Sequence, residues 1–344
     1  MVVRREKANA GRWMRRLAFV ATAVLLGLAA AFGTYGVSVQ PGAALVEAVF
    51  EAKPEVTPPA GFDAVEAAVT ESDPITLTSS ATPDAGLTIT TPVGAAATPG
   101  ALPVVLWIHG GGFISSSADT VRDYVVILAG HGYLVANLDY SLAPGSRHPV
   151  PVRQANAALG YLSKHAADYG GDPTRIVLGG DSAGAQIAGE VAALQTNPAL
   201  AETLDIAPAL APGQLRGVIL FCGLYDLRTV AATGFPALRT YLWAYTGSRD
   251  WTDYPEIDAL STTETATSAF PPTFLSVGDA DPFRTQATEL AATLQSRGVP
   301  VTTLFWNGTQ DGLGHEYQFD FSVPQAQTAL DSTLDFLGSL EGTP

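Results

Sequence analysis

The 344-residue sequence is poor in cysteine and in basic side chains. A single cysteine, Cys222, excludes an intramolecular disulfide, and its apolar neighbours (GVILFC) predict a buried structural thiol. Only 18 Lys and Arg accompany 33 Asp and Glu, a formal net charge of −15. An acidic chain is poorly suited to neutralising phosphates, which argues against a nucleic-acid partner. The sequence also lacks a phosphate-cradling Walker loop, an H-E-x-x-H pair and clustered histidines, so we expect no metal and no cofactor.

The few basic residues are concentrated at the N-terminus. Residues 1–33 hold six basic residues and one acid, a local charge of +5, and the remaining chain carries −20. Leu17–Gly33 is almost wholly apolar. A basic cluster before an apolar run is typical of a signal anchor or a cleaved signal peptide, and the length of the run favours the anchor. We therefore expect a membrane-anchored, exported catalytic domain, or a secreted one if the segment is cleaved; a buried core helix is the alternative.

The remaining chain predicts one α/β domain behind a connector. With 47% hydrophobic residues and 15% charged ones, it can bury a large core. Residues 34–74 are interpreted as a connector with a possible cap helix at Ala43–Glu51, and residues 75–344 as the catalytic domain. In that domain short apolar runs alternate with helical stretches, which predicts a mostly parallel sheet covered by helices on both faces. The predicted strands are Ile75–Ser79, Leu87–Thr91, Val104–Ile108, Leu134–Leu138, Ile176–Leu178, Val218–Phe221, Phe274–Val277 and Val301–Phe305, the first two forming a hairpin.

A nucleophile is predicted at Ser182. The pentapeptide GDSAG at 180–184 follows a predicted strand and opens a predicted helix, which is the context that G-x-S-x-G requires. Its glycines allow the sharp turn that exposes the serine. The glycine run of His109–Gly112 follows another predicted strand, and glycines let backbone N–H groups approach an oxyanion closely. We therefore expect an oxyanion hole made by the N–H groups of Gly111, Gly112 and Ala183.

The general base follows by elimination. Behind such a turn the chain order is serine, acid, histidine, and among five histidines only His315 lies after Ser182. His131 looks like a helix C-terminal residue, and His148 and His165 look like surface or capping residues. The acid remains open between Asp279 and Asp281, since both follow the strand that ends at Val277. Asp226, Asp253 and Asp311 are weaker candidates.

Together these residues resemble the hormone-sensitive-lipase family of α/β-hydrolase carboxylesterases, from about Leu102 to the C-terminus. The motifs that carry the resemblance are HGGGF at 109–113, DYSLAP at 139–144, GGDPTRI at 170–176, GDSAG at 180–184, PPT at 271–273 and DPFR at 281–284. The family's acid maps onto Asp281, which makes Asp279 the runner-up. The resemblance also implies an α/β-hydrolase fold with an eight-stranded sheet and a small helical cap, and a possible homodimer.

The expected activity is hydrolysis of short- to medium-chain carboxylic esters through an acyl-enzyme on Ser182, with a small-molecule ester as the partner. The sequence leaves two alternatives open, an amidase or peptidase on the same fold and a membrane-tethered binding protein without catalysis. Departures from the family occur at Ala185, Phe283, Thr285 and Glu316–Tyr317, which leaves substrate preference open. The aromatic segment Tyr241–Tyr254 is interpreted mainly as cap packing, with an acyl-binding wall as the alternative.

Overall fold

The computed structural model describes residues 38–51 and 58–341. The predicted N-terminal signal anchor, residues 1–33, lies outside this part of the chain. No helix within the described ranges has both the length and the apolarity needed to cross a membrane.

A sheet of nine strands lies at the centre of the described chain. Its strands are β1 Val69–Glu71, β2 Ile75–Leu77, β3 Ala85–Pro92, β4 Leu102–Ile108, β5 Leu134–Asp139, β6 Gly171–Asp181, β7 Leu215–Phe221, β8 Thr273–Ser276 and β9 Val301–Leu304. The order across the sheet is β1-β3-β5-β4-β6-β7-β8-β9, with β2 paired to β3. Strands β4 to β9 run parallel, and β3 pairs antiparallel with β1, β2 and β5.

Ten α-helices accompany the sheet in the described residues. They are α1 Gln40–Glu51, α2 Phe62–Glu66, α3 Arg122–Gly130, α4 Val150–His165, α5 Ser182–Thr196, α6 Pro198–Leu204, α7 Leu238–Thr246, α8 Thr262–Thr265, α9 Arg284–Ser296 and α10 Pro324–Glu341. Helix α1 contacts α7, so the N-terminal helix and the helix after β7 pack together.

The central strands owe their position to continuous apolar runs. Val104–Ile108 in β4 is completely buried, as expected for a parallel strand covered by helices on both faces. The Trp107 ring packs against Tyr124 of α3 and Phe221 of β7, with centroid distances of 5.0 and 5.4 Å. This packing fixes the carboxyl end of β4, from which the glycine run starts.

The predicted fold class is confirmed, and the strand count needs a correction. All eight predicted strands occur with shifted ends, and the predicted hairpin forms with Ile75 opposite Leu87. The ninth strand is Val69–Glu71, which pairs with the end of β3. Three residues with no buried side chain carry no alternating pattern, so the sequence gives no signal for this edge strand.

The parallel strands deliver the predicted chemical groups to one edge. The carboxyl ends of β4 and β6 lead directly into His109–Gly112 and into Ser182, and the loop after β8 carries Asp281. The loop after β9 carries His315. In open α/β sheets this edge is where ligands bind.

Candidate active site

Ser182 lies at the turn where β6 ends and helix α5 begins. Its φ of +51° is a left-handed conformation that non-glycine residues rarely adopt. A Cβ on Gly184 would collide with the Ile108 carbonyl oxygen, and one on Gly180 would lie 2.6 Å from the Gly184 backbone. The two glycines are therefore required for the close approach of the turn to β4, as the sequence indicates.

The structure brings the three predicted triad residues into hydrogen-bond contact. His315 Nε2 lies 2.9 Å from Ser182 Oγ, and His315 Nδ1 lies 2.9 Å from Asp281 Oδ2. The other carboxylate oxygen of Asp281 accepts the N–H of Phe283 at 2.8 Å. Because Asp281 is almost fully buried and held by the backbone, it fixes the orientation of the His315 ring.

Asp279, the runner-up, has a different task in the structure. Its carboxylate accepts the N–H groups of Leu313 at 2.7 Å and of Gly312 at 3.2 Å. Both donors lie in the loop that precedes His315. Asp279 therefore braces that loop, and the carboxylate that contacts the imidazole is that of Asp281.

The glycine run borders the serine, in the position expected of an oxyanion loop. Gly111 and Gly112 have φ values of +103° and +61°, and a Cβ on Gly112 would collide with the Tyr241 ring. Gly112 and Ala183 line the same cavity as Ser182. Two of the three predicted donors, Gly112 and Ala183, therefore border the serine. Gly111 precedes Gly112 in the chain, and its carbonyl accepts the Ser115 hydroxyl at 2.8 Å.

Asp181, the residue before the serine, holds the glycine loop through hydrogen bonds. Its Oδ2 accepts the N–H of Gly110 at 2.8 Å, and its Oδ1 accepts the indole N–H of Trp107 at 2.9 Å. Burial and the negative charge of Glu316 raise the pKa of the Asp181 carboxyl, while the two N–H donors oppose that rise. The sequence motif marks Asp181 only as a variable position, so this contact across the sheet was not predicted.

His109 is buried in the same loop as a neutral ring. Its Nδ1–H donates to the Gly110 carbonyl at 2.8 Å, and the ring stacks on Tyr140 at a centroid distance of 4.3 Å. Burial lowers the pKa of His109 to about 4, partly offset by the Gly110 hydrogen bond and by the charge of Asp139. His109 therefore supports the loop and is not available as a base for Ser182.

A small apolar cavity opens beside Ser182. Its volume of about 10 Å³ has room for the centre of roughly one water molecule. Gly112, Ala183 and seven apolar or aromatic side chains line it: Phe113, Leu224, Phe235, Leu238, Tyr241, Leu242 and Phe283. The rings of Phe235 and Phe283 stack at 4.4 Å and lie 5.0 and 5.4 Å from the His315 ring.

A family model described as alpha/beta hydrolase fold matches residues 105–315, which is more than half of the chain and spans from β4 to His315. The chain belongs to this α/β-hydrolase family. Together with the esterase relatives below, the match confirms the predicted resemblance to the hormone-sensitive-lipase family of carboxylesterases.

This α/β hydrolase is similar to curated esterases over most of its length. Versiconal hemiacetal acetate esterase of Dothistroma septosporum is 26% identical, with 70% of this chain and 74% of that protein covered. An acetyl esterase of Salmonella schwarzengrund is 28% identical, with 70% and 73% covered. The solved structure of esterase B from Lactobacillus rhamnosis is 23% identical and has a TM-score of 0.70, with 91% and 94% covered, which shows the shared fold.

The aromatic segment of the hydrolase serves mostly as packing. Tyr245 stacks on Phe113 at a centroid distance of 3.9 Å, and Trp243 is buried. Tyr241 is the exception, because its ring lies against Gly112 and lines the cavity. The packing interpretation therefore describes most of the segment, and Tyr241 is placed where the acyl-wall alternative would need it.

Two of the predicted histidine environments hold, and a third is wrong. His131 ends helix α3, with Nδ1 2.8 Å from the Ile127 carbonyl, and His165 is exposed. His148, expected to be a surface or capping residue, is buried and pairs with Glu190 at 2.6 Å and with the Tyr254 hydroxyl at 2.9 Å. A buried partner on another element leaves no signal near His148 in the sequence.

Cys222 is buried as predicted and lies unexpectedly close to the triad. Its sulfur and the ligand atoms of Asp281 and His315 lie within 4.8 Å of one another, the one such group of potential metal ligands among the described residues. Since Asp281 and His315 already bond to each other, we interpret the thiol as packing behind the triad. Burial raises the pKa of Cys222 well above its usual range, which keeps the sulfur protonated.

Proposed function

We propose that this carboxylesterase-type hydrolase cleaves esters of short carboxylic acids through an acyl-enzyme on Ser182. The observation that carries the proposal is the pair of 2.9 Å contacts that join Ser182, His315 and Asp281. A serine hydroxyl is a weak nucleophile until a neighbouring base accepts its proton, and His315 Nε2 is in position to do so.

In the proposed mechanism, Ser182 Oγ attacks the ester carbonyl carbon while His315 Nε2 takes the hydroxyl proton. Asp281 accepts a hydrogen bond from Nδ1–H and stabilises the imidazolium. His315 then gives the proton to the departing alcohol, which leaves the acyl group on Ser182. A water molecule, deprotonated by His315, then attacks the acyl carbon. The bond to Ser182 Oγ breaks as Oγ takes the proton back from His315, which releases the acid and restores the serine.

The oxyanion of each tetrahedral intermediate is proposed to accept the N–H groups of Gly111, Gly112 and Ala183. The left-handed conformations of the two glycines and the start of α5 at Ser182 support this assignment. The N-terminal end of a helix also provides positive potential for developing negative charge.

A short acyl group fits the cavity best. The cavity of about 10 Å³ is walled by Tyr241, Leu238 and the stacked pair of Phe235 and Phe283. Because the space is so small, an acetyl group requires the least rearrangement of any acyl group, and longer chains require Tyr241 to move. Two relatives are named for acetyl or acetate esters, which supports the short end of the predicted range.

The amidase and non-catalytic alternatives are separated from the esterase by one substrate panel. Purified protein is assayed with p-nitrophenyl acetate and with the matched anilide, p-nitroacetanilide. We expect rapid turnover of the ester and slow or no turnover of the anilide. Comparable turnover of both would favour the amidase, and turnover of neither, together with no fluorophosphonate label on Ser182, would favour a binding protein.

The basic head and the apolar run Leu17–Gly33 support a membrane anchor with an exported catalytic domain, or a secreted domain if the segment is cleaved. Fractionation of cells that produce the full chain or residues 34–344 tests this. Recovery of both proteins in the same soluble cytoplasmic fraction would contradict it.

A homodimer, implied by the family resemblance, is likewise a proposal that sedimentation equilibrium of residues 34–344 tests.

A further inference from the structure

Glu316 places a second carboxylate beside the reacting atoms. Its Oε1 lies 3.8 Å from His315 Nε2, the nitrogen that faces Ser182. The same oxygen would lie 2.9 Å from a Cβ on Gly110, so it sits directly over the glycine loop. With 26% of its side chain exposed, Glu316 is accessible both to a molecule bound in the site and to solvent.

The backbone holds Glu316 in this place at a cost in strain. Its φ of +62° is left-handed, a conformation that glycine adopts easily and glutamate does not. Strained residues of this kind persist where the surrounding structure fixes them, and they concentrate at functional sites. Glu316 directly precedes the short 3₁₀ turn Tyr317–Phe319.

The charges around Glu316 are negative or neutral. Its neighbours include Asp181 and the Tyr241 hydroxyl. Burial raises the pKa of Tyr241 to about 12, and the negative charge of Glu316 contributes a smaller part of that rise. No lysine or arginine lines the cavity beside Ser182. The ion pairs found among the described residues give Glu316 no basic partner other than His315.

We propose that Glu316 determines specificity for the alcohol of the ester and favours alcohols that carry a positively charged amine. The departing oxygen must come within hydrogen-bond distance of His315 Nε2 to receive its proton. An ammonium two carbons from that oxygen then lies near Glu316 Oε1, which approaches the same nitrogen. This inference rests on the proposed esterase function and adds the class of alcohol to it.

The test compares two acetate esters of matched shape, acetylcholine and 3,3-dimethylbutyl acetate, in which a tert-butyl group replaces the trimethylammonium. The readout is the ratio of their kcat/KM values, so a general change in catalysis cancels. We expect E316Q to lower the ratio of cationic to neutral ester about tenfold, the effect of one partly screened charge at close range. The control E289Q removes an exposed carboxylate on α9 and leaves the ratio unchanged.

Two further measurements keep the proposal testable if E316Q folds poorly. E316D keeps the charge and retains part of the preference, and added NaCl lowers the ratio for the unmodified enzyme by screening. An equal change of both esters in E316Q, or a ratio insensitive to salt, would overturn the proposal, because Glu316 would then act only through His315. Turnover of p-nitrophenyl acetate but of neither of these two esters would overturn the proposal alone, whereas turnover of none of the three would refute the esterase function itself.

Discussion

At the residue scale, the candidate site contains residues that the sequence identifies and residues that it does not. Ser182 and His315 follow from a motif and from chain order, because a strained strand–turn–helix and a single downstream histidine leave few choices. Asp281 needed the family resemblance, since Asp279 fits the same spacing. The role of Asp181 was not predicted because its contacts join segments that are distant in sequence, and Glu316 was noted only as a departure from the family pattern.

Replacing Asp181 by asparagine is expected to weaken the support of the glycine loop. The carboxylate accepts two N–H groups, from Trp107 and Gly110, whereas an amide offers one acceptor oxygen and turns an N–H₂ toward the other donor. We expect kcat/KM for p-nitrophenyl acetate to fall at least about tenfold and the free energy of unfolding to fall by roughly 1–3 kcal/mol. Ester kinetics and chemical denaturation measure both effects.

The matched control is D258N, which breaks only a largely exposed ion pair with Arg228. That change is expected to alter stability by less than about 1 kcal/mol and to leave activity intact. Wild-type kinetics and stability in D181N would show that the two hydrogen bonds do not support the loop.

At the scale of elements, the parallel strands are predictable and the contacts of the cap are not. Continuous apolar runs in the sequence predict the buried strands. Because these strands are parallel, their carboxyl ends lie at the same edge of the sheet. The position of α7 over the glycine loop depends instead on side-chain packing, with Tyr241 against Gly112 and Tyr245 against Phe113. Such packing has no periodicity in the sequence, so the aromatic segment could be interpreted only in outline.

Tyr241 is expected to limit the length of the acyl group. Replacing it by alanine removes the ring that closes the cavity next to Gly112 and opens space for a longer chain. In Y241A we expect the kcat/KM ratio of p-nitrophenyl octanoate to p-nitrophenyl acetate to rise about tenfold, since added apolar contact of a few methylenes supplies that much.

The comparison variant is Y161A, which removes a partly buried ring on α4 that stacks on the exposed His165. Tyr161 is not among the residues that line the cavity beside Ser182. Its chain-length profile is expected to match that of the unmodified enzyme. An unchanged profile in Y241A would mean that the acyl group occupies another part of the site.

At the scale of the whole molecule, the net charge of −15 divides into a basic N-terminal segment and an acidic hydrolase. The acidic body is compatible with the proposed preference for cationic alcohols, which it attracts at long range. Buried titratable groups, which composition does not reveal, link the stability of this body to pH. His109 is one of them, because the folded chain keeps it neutral inside the core.

His109 is expected to make the protein less stable in acid. Its pKa falls from 6.5 to about 4 on folding, so between these values the unfolded chain binds a proton that the folded chain does not. The stability that its neutral state contributes is complete above pH 6.5 and is lost as the pH falls through about 4. The expected loss between pH 7 and pH 4.5 is roughly 2–3 kcal/mol.

Asparagine at position 109 keeps an N–H donor and does not titrate, so H109N should lose less stability over this interval. Urea denaturation at both pH values gives the comparison, and H165N, at an exposed site, serves as the control. An acid-induced loss as large in H109N as in the unmodified protein would contradict the assignment.

The central claim is that Ser182 carries the acyl group, and one measurement tests it most directly. The unmodified chain, S182A and the control S332A, which removes a partly exposed hydroxyl on α10, are assayed with p-nitrophenyl acetate and treated with a fluorophosphonate probe. We predict that S182A loses at least about a thousandfold in kcat and takes up no probe, while S332A behaves as the unmodified protein. A kcat of S182A close to that of the unmodified protein would contradict the account. So would a probe that inactivates the unmodified protein by attaching to a residue other than Ser182.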